Sequence, residues 1–484
     1  MIGNIISSTS QEVVFRINDD VDVETIKLAT PVVIESRYQY LARVVSLEMR
    51  NLGESELPDK VVAVRGNELY GDIDSALGSQ FYYICRARLM GIIGKRLQGA
   101  KTIPRFKSPV RLAKEEDLGF LGSDSGDKVE IGSLRDLEIP IKLDRKTLIT
   151  RHCGVFGKTG SGKSNTVKVL LSRFIEAGTP SLVFDVHGEY SRPDGLRPYD
   201  NAVVMGIGNN EDVTISIPLE RIKPKDVGFI YTLNETQKEA AEAIRRKEKN
   251  EWISYIYKTK SEEIYNEFNR QINELTILTL KRKIGSLCNV GYVGTGNDSL
   301  RYIRDALMKG KTIIIDFGQY ENDDHAIRLI TTIISRYLLD AFKNARSVGK
   351  TPPETLIVLE EAHKLLSKDI ARTTIFETIV REGRKFGLGL LVVDQMPRKI
   401  HDEIISQLNT VIIMLLTNIK DREHLVLSSE NDLSDFKEEM SRLDVGEAII
   451  TGISVPIPLS GTIPIHVPRQ KKAYDVEDDF TFNG

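Results

Sequence analysis

Eight residues, Gly157-Lys158-Thr159-Gly160-Ser161-Gly162-Lys163-Ser164, constrain this chain more than any other stretch. Two glycines with four residues between them, followed by Lys and Ser, fit the phosphate-binding loop pattern. The context agrees. Arg151-His152-Cys153-Gly154-Val155-Phe156 reads as a short buried strand ahead of the loop. Behind it, Val167, Leu170, Leu171, Phe174 and Ile175 recur at helical spacing. Glycine admits backbone angles that a Cβ blocks, so several N–H groups can converge on one small concavity. The partial positive charge of the helix start adds to them. Lys163 then reaches the β- and γ-phosphates, and the Ser164 hydroxyl holds Mg²⁺. Gly157, Thr159, Gly160, Ser161, Gly162, Lys163, Ser164 and Asn165 are therefore the candidate contacts of a nucleoside triphosphate. A strand, a glycine turn and a helix place the motif in an α/β fold.

At 484 residues the chain has length for two or three domains. Its net charge of −3 excludes a generally basic polyanion binder, so a nucleic-acid site must be a local basic patch. Cys85, Cys153 and Cys288 are too scattered for a disulfide framework or a zinc site, which points to a reducing, cytoplasmic setting. No apolar run approaches the roughly 20 residues of a membrane span. The first residues lack the basic-then-apolar order of a signal peptide, so neither leader nor membrane is expected.

Residues 1–107 carry short alternating or β-branched runs, among them Glu12–Ile17, Pro31–Glu35, Leu41–Leu47, Lys60–Val64 and Phe81–Ala87. Gly, Asn, Asp and Pro separate them, which predicts a small closed β-barrel. Residues 108–150 read as a linker and entry to the core, with Lys107, Arg111 and Lys114 solvated. The core then runs over 151–233 and resumes over 311–468. Between them, 234–310 has long helical patterns holding Trp252, Ile256, Ile264 and Leu275, an inserted helical bundle. Thr236 and Glu239 are spaced for a capping box at its first helix. The clusters Arg245-Arg246-Lys247 and Lys281-Arg282-Lys283 read first as solvated faces, with DNA contact as the alternative. Residues 469–484 read as a tail.

Buried strands should end in polar residues at one edge of a parallel sheet, where ligands sit in open α/β sheets. Pro180–Asp185 ends in Asp185-Val-His-Gly-Glu189, where His187 reads equally as a turn histidine or a catalytic one. Thr355–Leu359 ends in Glu360-Glu361-Ala-His363, two acids facing the glycine loop. In such sites the first acid orients Mg²⁺ and the second polarises the attacking water. Glu360 is one methylene longer than the usual Asp. A helix over 374–385 carries Arg381 and Arg384 three residues apart, hence on one face. Leu388–Val393 is a further strand, capped by Asp394 and Gln395.

Together these pieces resemble the HerA helicase–translocases, hexameric ATPases of the HerA–FtsK branch of RecA-like motors, the archaeal members above all. The resemblance rests on Ile131–Leu134, Arg151-His152, Thr159–Thr166, Phe184–Tyr190, Glu360–His363, Arg381–Gly387 and Leu443–Ile450. It implies a RecA-like core behind a small β-barrel, a homohexameric ring, ATP and Mg²⁺ bound between subunits, and duplex DNA in the channel. It also implies a NurA-type nuclease partner at broken DNA ends. By motif match Glu361 is the catalytic carboxylate, Asp185 a supporting acid, Arg384 the finger to the neighbour's γ-phosphate and Arg151 a second arginine at the nucleotide interface. Family members often show Ser-Gln-Arg-Pro where this chain has Asp394-Gln395-Met396-Pro397. Gln395 survives as a γ-phosphate sensor, and the arginine after it is lost.

Lys364, Lys368 and Arg372 follow the acidic strand, where motor loops often enter a channel, and are the candidate DNA contacts. Two other readings are an FtsK-like or conjugative DNA pump and a nucleotide-gated scaffold for a nuclease, including one in a defence system. The lack of membrane helices and the leading barrel argue against the first, Glu361 and the arginines against the second.

Overall fold

The computed structural model describes residues 1–51, 81–94, 96–121, 127–135, 137–207, 213–231, 233–294, 298–368, 374–429 and 432–468. The expected strand at Lys60–Val64, the candidate contact Arg372 and the tail 469–484 lie outside the described residues.

Two compact units emerge, the first formed by residues Met1–Ser125 with Ser133–Lys142 and Val455–Gly461. Its centre is a closed barrel of β1 (Gly3–Ser8), β2 (Glu12–Ile17), β3 (Pro31–Glu35), β4 (Gln39–Asn51), β5 (Phe81–Ile92) and β6 (Pro109–Leu112). Their order around the barrel is β1-β2-β5-β4-β3-β6. Alternation decides which side chains go inward: Val13, Phe15 and Ile17 of β2 are buried, as are Tyr40, Ala42 and Val44 of β4. The barrel extends past residue 107, because β6 closes it between β1 and β3. Arg111 of β6 is accordingly not solvated. It pairs with Glu35 at 2.8 Å and Asp117 at 2.6 Å.

The second unit is built on a sheet. The residues of β7 (Lys128–Leu134) and β8 (Pro140–Asp144) are divided between the two units, and the second then holds β9 (Cys153–Phe156), β10 (Ser181–Asp185), β11 (Ala202–Gly206), β12 (Ile217–Pro218), β13 (Val293–Gly294), β14 (Thr312–Asp316), β15 (Thr355–Leu359), β16 (Leu388–Asp394), β17 (Thr410–Ile413) and β18 (Glu447–Gly452). The order β11-β14-β10-β15-β16-β9-β17 is parallel throughout, and β18 joins β17 antiparallel. Strands β9, β10, β15 and β16 are buried at every position, as strands covered on both faces must be. The shared direction puts Gly157, Asp185, Asp316, Glu360 and Asp394 on one edge, the carboxyl edge.

The helical insertion lies in the chain between β11 and β14, and the short parallel pair β12–β13 brackets all of its helices but the last. Its helices are Glu235–Glu248, Trp252–Lys258, Ser261–Glu267, Glu274–Cys288 and Ser299–Met308. The capping box forms two residues earlier than expected: the Asn234 side chain accepts from Gln237 N–H at 2.9 Å, and Gln237 returns to Asn234 N–H. Trp252 anchors the bundle, wholly buried with Nε1–H donated to Ile222 O at 2.9 Å. Among the described residues no helix is long and apolar enough to cross a membrane.

Candidate nucleotide site

Strand β9 delivers the chain to Gly157, and the loop that follows is shaped by its glycines. Gly160 and Gly162 adopt φ of +77° and +106°, a region that a Cβ disfavours. At Gly157 the constraint is space: a Cβ there would stand 2.6 Å from Ser161 Oγ and 2.9 Å from Met414 Cβ. Backbone bonds brace the loop, with Lys158 N–H donated to Leu415 O at 2.8 Å and Gly446 N–H donated to Ser161 O at 3.2 Å. The helix Lys163–Glu176 starts at Gly162, which offers it no side-chain cap. Ser161 Oγ is buried without a hydrogen-bond partner among the described residues. Lys163 donates to Lys158 O at 3.1 Å. Burial lowers its pKa against the opposing charges of Glu361, Asp394, Glu189 and Glu360. Uncapped N–H groups, an orphaned hydroxyl and a half-desolvated ammonium fit a polyphosphate.

Asp185 and Glu360 sit deeper, both buried. Asp185 accepts backbone N–H bonds from Glu189, Tyr190 and Ser191 at 2.8–2.9 Å. Burial pushes its pKa up to about 6, the bond from Ser191 opposing and the charge of Asp316 adding. Glu360 accepts from Val186 N–H at 3.1 Å and His187 N–H at 3.4 Å. Burial, then the charges of Asp185 and Glu189, raises its pKa well above the usual carboxylate range. Both acids therefore shape the turn after β10. Among the described residues no group of three or more His, Cys, Asp or Glu is placed to hold a metal. Mg²⁺ in this kind of site draws on a hydroxyl and the substrate phosphates, so Ser164 at the helix start remains its candidate ligand.

Glu361 is held where the loop can use it. Its φ is +46°, a strained value for a residue with a Cβ. Gln395 bridges it to the loop: Nε2 donates to the Glu361 carboxylate at 3.3–3.4 Å, and Oε1 accepts from Thr159 Oγ1 at 2.5 Å. His187 Nε2 stands 3.8 Å from one carboxylate oxygen and His363 Nδ1 3.4 Å from the other. His363 also bonds the buried Asp394, a pairing that no short-range pattern in the sequence announces.

The arginines lie on the other edge. Arg151 precedes β9, and the helix Ile375–Phe386 runs back from the carboxyl edge to end just before β16. Nine rises of about 1.5 Å carry Arg384 roughly 13 Å along the helix from Ile375. Arg381 pairs with Glu377 at 3.1 Å and Glu403 at 2.5 Å. Arg384 is exposed, and no ion pair engages it among the described residues. His152 pins this helix to the sheet by donating Nε2–H to Val380 O at 2.9 Å.

Other sequence candidates are already engaged. Asn165 donates to Pro464 O and accepts from His466 N–H, both at 2.8 Å, so its side chain holds the segment after Thr462 rather than facing the loop. Lys364 pairs with Asp324 at 3.3 Å and Lys368 with Asp402 at 3.0 Å. Within the bundle, Lys247 bonds Glu267, Lys281 bonds Thr259 O and Lys283 bonds Gln237 Oε1.

A parallel sheet with this loop on β9 and an acidic strand two places away defines a RecA-like P-loop ATPase fold. Residues 129–338 match the family model "Helicase HerA, central domain". The DNA double-strand break repair helicase HerA of Saccharolobus solfataricus is 31% identical over 385 residues, 74% of this chain and 72% of that protein. This chain belongs to the HerA family. A relative of the same name from Sulfurisphaera tokodaii is 30% identical over 427 residues, 81% of this chain and 82% of its own length. Among solved structures, the bacterial conjugative coupling protein TrwB aligns with a TM-score of 0.53 at 14% identity, over 76% of this chain and 95% of that one. That likeness concerns the fold alone.

Proposed function

We propose that this chain is the subunit of an ATP-driven DNA translocase, a homohexameric ring that draws duplex DNA through its channel and works with a NurA-type nuclease at broken ends. The relatives named as double-strand break repair helicases support this reading. The observation that carries it is the meeting of Thr159, Gln395 and Glu361 at the mouth of the glycine loop. A scaffold that only binds nucleotide has no use for a strained carboxylate bridged to the phosphate loop through an amide.

In this reading Lys163 and the loop N–H groups bind the phosphates, and Glu361 takes up the proton of the attacking water. Gln395, bonded to both loop and base, reports the γ-phosphate to the β16 edge. Asp185 and Glu360 support the site through the turn after β10. Ser164 would hold Mg²⁺, which supplies charge neutralisation for phosphoryl transfer. Arg384, with Arg151 beside β9, serves the nucleotide of the adjoining subunit. Lys364, Lys368 and Arg372 are the DNA side of the motor.

The test is ATPase rate with and without duplex DNA, alongside displacement of a third strand from a triplex. DNA-stimulated turnover and displacement are expected from the intact chain. Lys163→Ala should lose turnover, and Glu361→Gln should bind ATP and hydrolyse it at least a hundredfold more slowly, on the order of a lost catalytic base. ATP binding without DNA-stimulated turnover would overturn the motor in favour of a nucleotide-gated scaffold.

A further inference from the structure

We propose that Asp394 and His363 form a positioning pair for Glu361, fixing the direction of the carboxylate that activates water. The proposal rests on the reading of Glu361 given above.

Asp394 ends β16 and is 1% exposed. One of its oxygens accepts twice from the same residue, from His363 N–H at 2.6 Å and from Nδ1 at 2.9 Å. The other accepts from Met396 N–H at 2.7 Å. Three donors satisfy a buried carboxylate, and the double hold on His363 leaves its ring one orientation. In that orientation Nδ1 faces Glu361 Oε2 at 3.4 Å. Gln395 grips the same carboxylate by its amide. Glu361 is thus bounded by an amide and an imidazole, each anchored at the end of β16.

A purely architectural role for Asp394 explains less. The ends of β15 and β16 are already joined by Ala362 N–H donated to Val393 O at 3.3 Å. A tie between strands would not require a buried charge on a side-chain ring. A base acts only within hydrogen-bond reach of its proton, and the unusual backbone of Glu361 leaves the side-chain torsions as its remaining freedom. The pair removes that freedom.

The charges facing His363 are Asp394 on β16, Glu361 before it in the chain and Lys399 just beyond β16. Burial lowers the affinity of the ring for a proton. The hydrogen bond and charge of Asp394, with the charge of Glu361, outweigh burial and Lys399, so the net shift is upward. When protonated, the ring attracts Glu361, and rising pH removes that attraction.

The experiment is DNA-stimulated ATPase of the full chain across neutral to alkaline pH, with thermal unfolding and ATP binding measured in parallel. Asp394→Asn should lower kcat about tenfold to a hundredfold, leave KM for ATP unchanged, and move the alkaline limb to lower pH. His363→Asn keeps a donor near the place of Nδ1 but cannot titrate, so it should retain more activity than Asp394→Asn and lose the limb. A wild-type kcat and limb in Asp394→Asn would overturn the pair, as would a fall in activity matched by lost ATP binding. Should Asp394→Asn not fold, His363→Asn decides alone: an unchanged limb overturns the proposal. Glu361→Gln is the reference. Its full activity would overturn the assignment of Glu361 and the pair with it; its inactivity beside wild-type behaviour in the other two overturns the pair only.

Discussion

His152 shows how a single side chain can tie stability to pH. Leu390 N–H donates to its Nδ1 at 3.1 Å and its Nε2–H goes to Val380 O, so both ring nitrogens are used by the neutral form. Burial pulls its pKa from 6.5 to about 4. In that interval the unfolded chain binds the proton and the folded chain does not, so stability is complete above about pH 6.5 and falls as pH drops toward 4. The gap corresponds to about 3 kcal/mol at most. Urea midpoints measured across this range should fall for the intact chain and stay flatter for His152→Asn. At this scale the sequence was legible where chemistry is packed into a few letters, as in Lys163-Ser164 or Glu360-Glu361. It was not legible where a side chain answers to a distant one. Asp394 and His363 meet only because β15 and β16 are neighbours. Asn165 has the right place in the motif, and its amide serves backbone about 300 positions along the chain.

Among the elements, the helix Ile375–Phe386 separates its two arginines by their partners. Arg381 is held between Glu377 and Glu403, while Arg384 stands exposed at the amino edge of the sheet. A finger supplied by a neighbour contributes ~10³–10⁵ in rate. Arg384→Ala should therefore fold and bind ATP but turn over orders of magnitude more slowly, and Arg381→Ala should change turnover little. Mixing Arg384→Ala with Lys163→Ala subunits should restore part of the rate, read as ATPase against mixing ratio after subunit exchange is established. No recovery despite proven exchange would place Arg384 in its own subunit's site or make turnover depend on an intact ring. Element type was readable from period: the alternation of β2 and the apolar runs of β15 and β16 match their burial. Edges were less readable. Four residues, Pro109–Leu112, are too few to display an alternation, so β6 merged with a linker. Two cap pairs overlapped in the sequence, and Asn234 prevailed, consistent with the strong N-cap preference of Asn.

For the whole molecule, a net charge of −3 makes any DNA site local. Contacts to backbone phosphates predict affinity that ignores sequence and falls with salt at a slope of roughly −0.9 per phosphate. Titrations of two unrelated duplexes over a salt series should give parallel lines, and a flat response would contradict the proposal. Composition sets that expectation, and the proposed contacts Lys364 and Lys368 would exchange their acidic partners Asp324 and Asp402 for phosphates. The division of the core between two edges has a consequence of another kind, one for inheritance. In the proposed ring, with a glycine loop on one edge and an arginine finger for the neighbour on the other, a defective copy would spoil not only its own turnover but that of the copy beside it. Alleles that destroy either edge while sparing assembly should therefore act dominantly, silencing a healthy gene in the same cell, whereas alleles that prevent folding should be recessive.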